Sequence, residues 1–86
     1  MILQPQYSNQ ASKFLKKSEK ILVKRLLDEI EKLRLNPMPQ EVKFLQGYKE
    51  RLFRVRVGDY RIIYEVDYQN NTLGIVKIDR RERVYS

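Results

Sequence analysis

The 86-residue sequence contains no cysteine, no histidine and no tryptophan. Without cysteine there is no disulfide, thiol nucleophile or Cys/His zinc site, and without histidine there is no Ser-His-Asp triad or histidine acid–base pair. The three glycines are far apart, and neither the paired carboxylates of a glycosidase nor a metal-binding acidic cluster is present. We therefore expect no metal and no cofactor, so any chemistry must come from arginine, lysine, tyrosine and carboxylate side chains.

The chain is short and strongly basic. Its 18 Lys and Arg residues against 11 Asp and Glu give a net charge of +7, which predisposes a small protein towards polyanions. The length predicts one domain, residues 1–86, and 42% hydrophobic residues are enough for it to fold unaided. No apolar run approaches the roughly 18 residues of a membrane span, and nothing at the N-terminus is typical of a signal peptide. A cytoplasmic protein without a membrane partner is expected.

The first half of the sequence predicts a short strand followed by two helices. Segment 1–7 begins with apolar residues, but Pro5 cannot donate a ladder hydrogen bond, so a strand here should be short or lie at a sheet edge. Apolar residues then recur with the helical period, and Ser8 and Ser18 are the expected N-caps of the two helices. The second helix should bury one stripe of side chains, which consists of Leu22, Leu26, Ile30 and Leu33.

The second half predicts a meander of three strands. After a short run at 42–45, apolar and polar residues alternate over 51–57, 60–67 and 72–79. Gly58 and Asp59 fit a two-residue hairpin loop with a type II′ turn. The order β-α-α-β-β-β predicts an α+β fold: an N-terminal edge strand, and an antiparallel two-helix pair packed on one face of a twisted, mainly antiparallel sheet.

Strand parity predicts a basic face on this sheet. Six of the nine lysines lie within 9–35, whereas seven of the nine arginines lie in the second half of the chain. Arg54 and Arg56 should point to the face that the helices leave uncovered, and the hairpin can bring Arg61 near them. Lys77 and Arg81 share a parity in the last strand, and they could reach the same surface. Because an arginine fork binds phosphate oxygens bidentately, this face is a candidate phosphate site.

The alternative is a solvated sheet face with no ligand. In that interpretation Glu65, Asp67 and Asp79 pair with the basic side chains across the strands. The tyrosines are also ambiguous: Tyr60 shares its parity with the apolar core residues and is better explained as a core aromatic, as is Tyr64. Tyr85 differs because it sits beside arginines near the end of the sequence, where a phenol could reach a ligand.

One reaction is compatible with these side chains, namely phosphodiester cleavage in which the 2′-hydroxyl of the RNA is the nucleophile. Arginines can neutralise the charge that develops on the phosphate, and the protein then needs no metal. Since the pKa of arginine is too high for a base, proton transfer would fall to Tyr85, Lys77 or Glu82. The amphipathic second helix is explained by packing on the sheet rather than by a membrane surface.

Three segments resemble the RelE/ParE toxin superfamily: Leu-Gln-Gly at 45–47, Phe-Arg-Val-Arg-Val-Gly-Asp-Tyr-Arg-Ile-Ile-Tyr at 53–64, and Asp-Arg-Arg-Glu-Arg-Val-Tyr at 79–85. The resemblance implies a toxin of a toxin–antitoxin pair. In the RelE branch the toxin enters the ribosomal A site and cuts mRNA without a metal, using basic residues of the sheet and a C-terminal tyrosine. In the ParE branch the same fold inhibits DNA gyrase.

Carried over to this sequence, the resemblance implies four catalytic residues, which are Arg54, Arg61, Arg81 and Tyr85. It implies further contacts to RNA from Arg56, Lys77, Arg80 and Arg83, and from the helix lysines Lys13, Lys16, Lys17, Lys20 and Lys24. Three positions depart from the family pattern. Leu52 and Arg54 stand where RelE-like enzymes often have two lysines, and Asp79 stands where many relatives have histidine, so the general base is left open.

The sequence therefore favours a metal-independent, ribosome-dependent mRNA endonuclease. Its implied partners are the ribosome, through rRNA and mRNA, and an acidic antitoxin that covers the basic face or displaces the C-terminal segment. Two alternatives remain at this point, a gyrase inhibitor and a basic RNA-binding module without catalysis.

Overall fold

The computed structural model describes residues 2–39, 43–45 and 51–80. In chain order these residues form β1 (Gln4–Tyr7), α1 (Asn9–Lys17), α2 (Lys20–Leu35), β2 (Lys43–Leu45), β3 (Leu52–Val57), β4 (Tyr60–Asp67) and β5 (Thr72–Arg80). The strands form one sheet in the order β1-β5-β4-β3-β2, in which only the β1–β5 pair is parallel. The predicted α+β class and the N-terminal edge strand are confirmed, and β2 adds a short strand at the other edge. Neither described helix has the length and apolar character that crossing a bilayer demands.

The two helices begin in different ways. Ser8 caps α1 as predicted, since its Oγ accepts a hydrogen bond from the Ala11 backbone N–H at 3.1 Å. The prediction that Ser18 caps α2 is wrong, because the N-cap is Glu19 and makes no side-chain cap bond. Ser18 instead donates to the Phe14 carbonyl at 2.7 Å. It thereby satisfies a carbonyl at the end of α1, where the helix has no further backbone donor to offer.

The core lies between the helices and one face of the sheet. Tyr64 is fully buried there, and its hydroxyl donates to the Pro37 carbonyl at 2.5 Å. Tyr60 is half-buried and packs edge-on against Phe14, with ring centroids 5.9 Å apart. Both tyrosines are thus core aromatics, as interpreted from their parity. The predicted α2 stripe is buried in the same core, which is completed from the sheet by Val55, Val57, Ile62, Leu73, Ile75 and Ile78.

The β3–β4 hairpin has the turn that the sequence predicts. Gly58 and Asp59 form its two-residue loop, with Val57 opposite Tyr60. Gly58 has φ +58°, and Asp59 does not have positive φ. Positive φ at the first central residue alone is the property of a type II′ turn.

A β-bulge in β5 was not predicted. Ile63 of β4 lies opposite Lys77, but the next residue, Tyr64, lies opposite Ile75, so Val76 is an extra residue in β5. The bulge changes the parity of β5. It allows Ile75 before it and Ile78 after it to face the same core.

Candidate functional site

Three strands bring basic side chains to the sheet face opposite the helices. Arg56 of β3 lies opposite Arg61 of β4, while Arg54 of β3 and Lys77 of β5 both lie opposite Ile63. Since the alternate residues of these strands form the core, all four basic residues point to the other face. The structure therefore places them together as parity predicts. We call this surface the arginine face, and its basic members are Lys43, Arg54, Arg56, Arg61 and Lys77.

Lys43 is the member that sequence reasoning missed. It lies on β2 directly opposite Arg54, and it is exposed. The alternation at 42–45 indicates a strand, but only the pairing of β2 with β3 shows which face Lys43 occupies.

Arg61 is held by an ion pair within the face. Its Nε and Nη2 atoms lie 2.6 and 3.1 Å from the two carboxylate oxygens of Asp79, which is directly opposite on β5. Both side chains are 23% exposed, and Lys77 Nζ lies 3.5 Å from the same carboxylate. The cross-strand pairing expected for a solvated sheet face is thus present at this position. A nucleotide phosphate would meet Arg61 with one guanidinium edge already bonded to a carboxylate.

The helices leave this sheet face uncovered as predicted, but two apolar side chains on it are buried. Leu52 and Ile63 point to it, yet each is only 6% exposed, and neither belongs to the core between sheet and helices. Arg54 beside them is half-buried, whereas Arg56 is exposed. The long stems of Arg54 and Lys77 flank Ile63 in the strand register, which is how basic side chains commonly cover apolar surface. The charged groups therefore stand on an apolar floor.

The other described RNA-binding candidates lie elsewhere. Arg80 is opposite Tyr60, which puts it on the helix side of the sheet, where it lines a groove with Lys17. It does not belong to the arginine face. The helix lysines Lys13, Lys16, Lys17, Lys20 and Lys24 are all exposed. Lys24 pairs with Asp28 at 3.2 Å, an exposed contact of little energetic value. The described residues thus form two separate basic surfaces, one on each side of the sheet.

Three predicted residues, Arg81, Arg83 and Tyr85, lie outside the described residues, as does Glu82. Their roles stay predictions. Within the part of the chain that the structure describes, no three acidic side chains come together as ligands for a metal ion.

Comparison with known proteins agrees with this architecture. The family model described as the ParE toxin of type II toxin–antitoxin systems matches residues 6–85. The protein named RelE1 from Methanocaldococcus jannaschii is 39% identical over 66 residues, which cover 73% of this chain and 72% of that protein.

Solved structures give the same result. A chain of the archaeal RelE–RelB complex from Pyrococcus horikoshii is 32% identical and superposes with a TM-score of 0.82, covering 98% of this chain and 100% of that one. The isolated E. coli RelE toxin shares the fold, with a TM-score of 0.80 at 17% identity over 95% of this chain and 87% of that one. The family model spans almost the whole chain, and the chain therefore belongs to the RelE/ParE superfamily of toxins from type II toxin–antitoxin systems.

Proposed function

We propose that this toxin is a ribosome-dependent mRNA endonuclease whose arginine face holds the RNA. The observation that carries the proposal is the convergence of five basic side chains from four neighbouring strands on one sheet face. Arg54 is half-buried beside the apolar floor, and a charge interacts more strongly with a bound phosphate where less water surrounds it.

In this mechanism the 2′-hydroxyl of the mRNA gives up its proton and its oxygen attacks the adjacent phosphate. As the new P–O2′ bond forms, the bond from phosphorus to the 5′-oxygen of the next nucleotide breaks, which leaves a 2′,3′-cyclic phosphate and, once that oxygen is protonated, a 5′-hydroxyl. Arg61 and Arg81 neutralise the charge that grows on the phosphate oxygens, while Arg54 and Arg56 orient the strand. Tyr85 stacks on a base or moves a proton. Lys77, which belongs to the arginine face, is a second candidate proton donor. Every group comes from the protein or the RNA, so no metal or cofactor takes part.

The second basic surface, formed by the helix lysines, is suited to ribosomal RNA. Lysines make salt-sensitive phosphate contacts that position a protein without reading sequence. Since these lysines lie on the opposite side of the sheet, the toxin can hold the ribosome with one surface and the message with the other. We propose that it acts in the cytoplasm, where messages are translated.

The proposed resting form is a complex with an acidic antitoxin. The Pyrococcus horikoshii structure that this chain resembles, at 32% identity, is a toxin–antitoxin complex. A net charge of +7 favours an acidic partner, which would neutralise the basic surfaces and keep the toxin from RNA.

A second candidate function is inhibition of DNA gyrase. It is supported by the match to the ParE toxin family model. The archaeal relatives carry the RelE name, which favours the nuclease. The two activities separate cleanly in assays with purified ribosomes and purified gyrase.

The test uses ribosomes programmed with a defined message, with cleavage mapped by primer extension. We expect the wild-type protein to cut the message, and Arg54→Gln to lower single-turnover cleavage about tenfold, which corresponds to about 1.4 kcal/mol. Lys32→Gln is the matched control, because it removes one positive charge from an exposed residue of α2 outside both surfaces.

Intact messages on ribosomes treated with the wild-type protein would overturn the proposal. Relaxed DNA accumulating in a parallel gyrase supercoiling assay would then establish the second candidate. Equal losses in Arg54→Gln and Lys32→Gln would show that the arginine face has no special part in cleavage.

A further inference from the structure

We propose that Asp79 is a positioning residue that occupies Arg61 in place of a phosphate and thereby sets the anion affinity of the arginine face. The proposal rests on the proposed function only for the identity of the natural ligand, which would be a nucleotide phosphate. The competition itself is a property of the side chains described above.

The geometry of the pair resembles that of a bound phosphate. Two oxygens of one group meet two N–H donors on one edge of the guanidinium, at 2.6 and 3.1 Å. Carboxylate and phosphate bind an arginine fork in the same bidentate manner. A phosphate that approaches this edge of Arg61 must therefore displace Asp79.

The surrounding charges explain why an acid is stabilised at this position. Arg56 and Lys77 lie near Arg61 on the same face, so the site concentrates positive charge. Like charges on directly opposed residues of a sheet repel each other, as Arg56 and Arg61 do here. The Asp79 carboxylate contacts both Arg61 and Lys77 and relieves this repulsion while no ligand is bound.

Glu65 provides a matched comparison, because it carries the same charge as Asp79 on the same face but is not the carboxylate that binds the Arg61 guanidinium through two oxygens. It lies opposite Gly74, with its side chain directed over the glycine, where a Cβ would come within 3.0 Å of Glu65 Cγ. Removing the charge of Glu65 changes the general field of the face, but it leaves the Arg61–Asp79 pair in place.

The experiment titrates the folded protein with pyrophosphate and follows the Nε–Hε signal of Arg61 by NMR. We expect Asp79→Asn to lower the dissociation constant about fivefold, and Glu65→Gln to lower it by less than about twofold. Asp79→Ser removes the same charge with a shorter side chain and should give the same tightening. Equal effects of Asp79→Asn and Glu65→Gln, or weaker binding in both Asp79 variants, would overturn the proposal.

A double-mutant cycle measures whether Asp79 acts through Arg61. Binding is followed by isothermal titration of pyrophosphate into the wild type, Asp79→Asn, Arg61→Gln and the double variant. We expect Asp79→Asn to change the pyrophosphate binding free energy in the Arg61→Gln background by less than half of the change that it causes in the wild type. Additive effects of the two substitutions would contradict the proposal. Both experiments are independent of mRNA cleavage. If the protein does not cut mRNA on ribosomes but Asp79→Asn still tightens pyrophosphate binding, the proposed function is refuted and the proposal about Asp79 stands.

Discussion

Gly58 controls how the arginine face is assembled at the level of a single residue. Its φ of +58° closes the hairpin that sets Arg56 opposite Arg61. Side chains other than glycine adopt this conformation at a cost of about 1–2 kcal/mol, so we expect Gly58→Ala to lower the free energy of unfolding by a similar amount. Urea denaturation followed by circular dichroism measures the change.

The control separates backbone strain from a steric clash. A Cβ at residue 58 would come within 2.5 Å of Arg25 Nη2, but this atom is the end of a flexible, exposed side chain that can move. Arg25→Ala in the Gly58→Ala background should therefore recover less than half of the lost stability. Full recovery would show that the clash, rather than the positive φ, causes the loss.

The sequence predicted this turn because a glycine in a two-residue loop has few alternatives. It also predicted the face of Arg61, because successive residues of one strand point to opposite faces and the neighbours of Arg61 in the sequence are apolar core residues. It could not identify Asp79 as the partner in preference to Glu65 or Asp67, because that choice depends on the register between two strands.

At the level of elements, Ser8 ties the start of α1 to the sheet. Its Oγ accepts from the Ala11 N–H at 3.1 Å and donates to the Val76 carbonyl at 2.7 Å. Ser8→Ala removes both bonds, so we expect a loss of about 1–2 kcal/mol in unfolding free energy. Ser18→Ala removes a single bond to the Phe14 carbonyl and should cost about 0.5–1 kcal/mol. Thermal and urea unfolding measure the loss in each variant. An equal or larger loss of unfolding free energy in Ser18→Ala than in Ser8→Ala would contradict this order.

Tyr64 links β4 to the segment after α2, and this link predicts a weakness at alkaline pH. Burial raises the pKa of Tyr64 above its ordinary value, and the charge of Glu29 adds to the effect. A raised folded-state pKa gives stability that is complete below the unfolded-state value of about 10 and is lost as the pH rises beyond it. We expect the unfolding free energy to fall as the pH rises above about 10, and to fall less in Tyr64→Phe.

The same variant has a second effect at neutral pH. Loss of the bond to the Pro37 carbonyl should cost Tyr64→Phe about 1 kcal/mol. Tyr68→Phe, which removes a 67% exposed phenol, is the control. If Tyr64→Phe and the wild type lose stability in parallel above pH 9, the alkaline transition has another origin.

The elements were predictable to different degrees for physical reasons. α2 was the clearest because four apolar residues recur over several turns, and all four are buried. The bulge at Val76 was not predictable, since nothing in the alternation of 72–79 distinguishes an extra residue from a change of face. The cap of α2 was mispredicted because Ser18 can bond either forward to a helix start or back to the preceding helix end.

At the level of the whole molecule, the sheet separates the two basic surfaces that the described residues form. The sequence predicted that lysines and arginines would be segregated, because six of the nine lysines lie within 9–35 and seven of the nine arginines lie in the second half of the chain. It did not show that Arg80 would join the lysine side. That outcome depends on the parity of β5 after its bulge, which sets Arg80 opposite Tyr60 and beside Lys17 in the groove.

This separation predicts that ribosome binding and cleavage respond to different substitutions. Replacing Lys13, Lys16 and Lys20 by glutamine removes exposed charges from the helix side and leaves the arginine face intact. The affinity for ribosomes should fall, and the slope of log K against log salt should flatten by about 0.7–0.9 for each lysine–phosphate pair that the substitutions remove. The single-turnover cleavage rate at saturating ribosome concentration should stay within about twofold of the wild type, because weaker ground-state binding raises the concentration needed without changing the bound complex.

Arg54→Gln should behave in the opposite way, with a reduced rate at saturation and a salt slope that flattens by no more than the value for about one such pair. A reduced rate at saturation in the lysine variant as well would contradict this separation of roles, because the helix lysines would then take part in the bound complex that is cleaved.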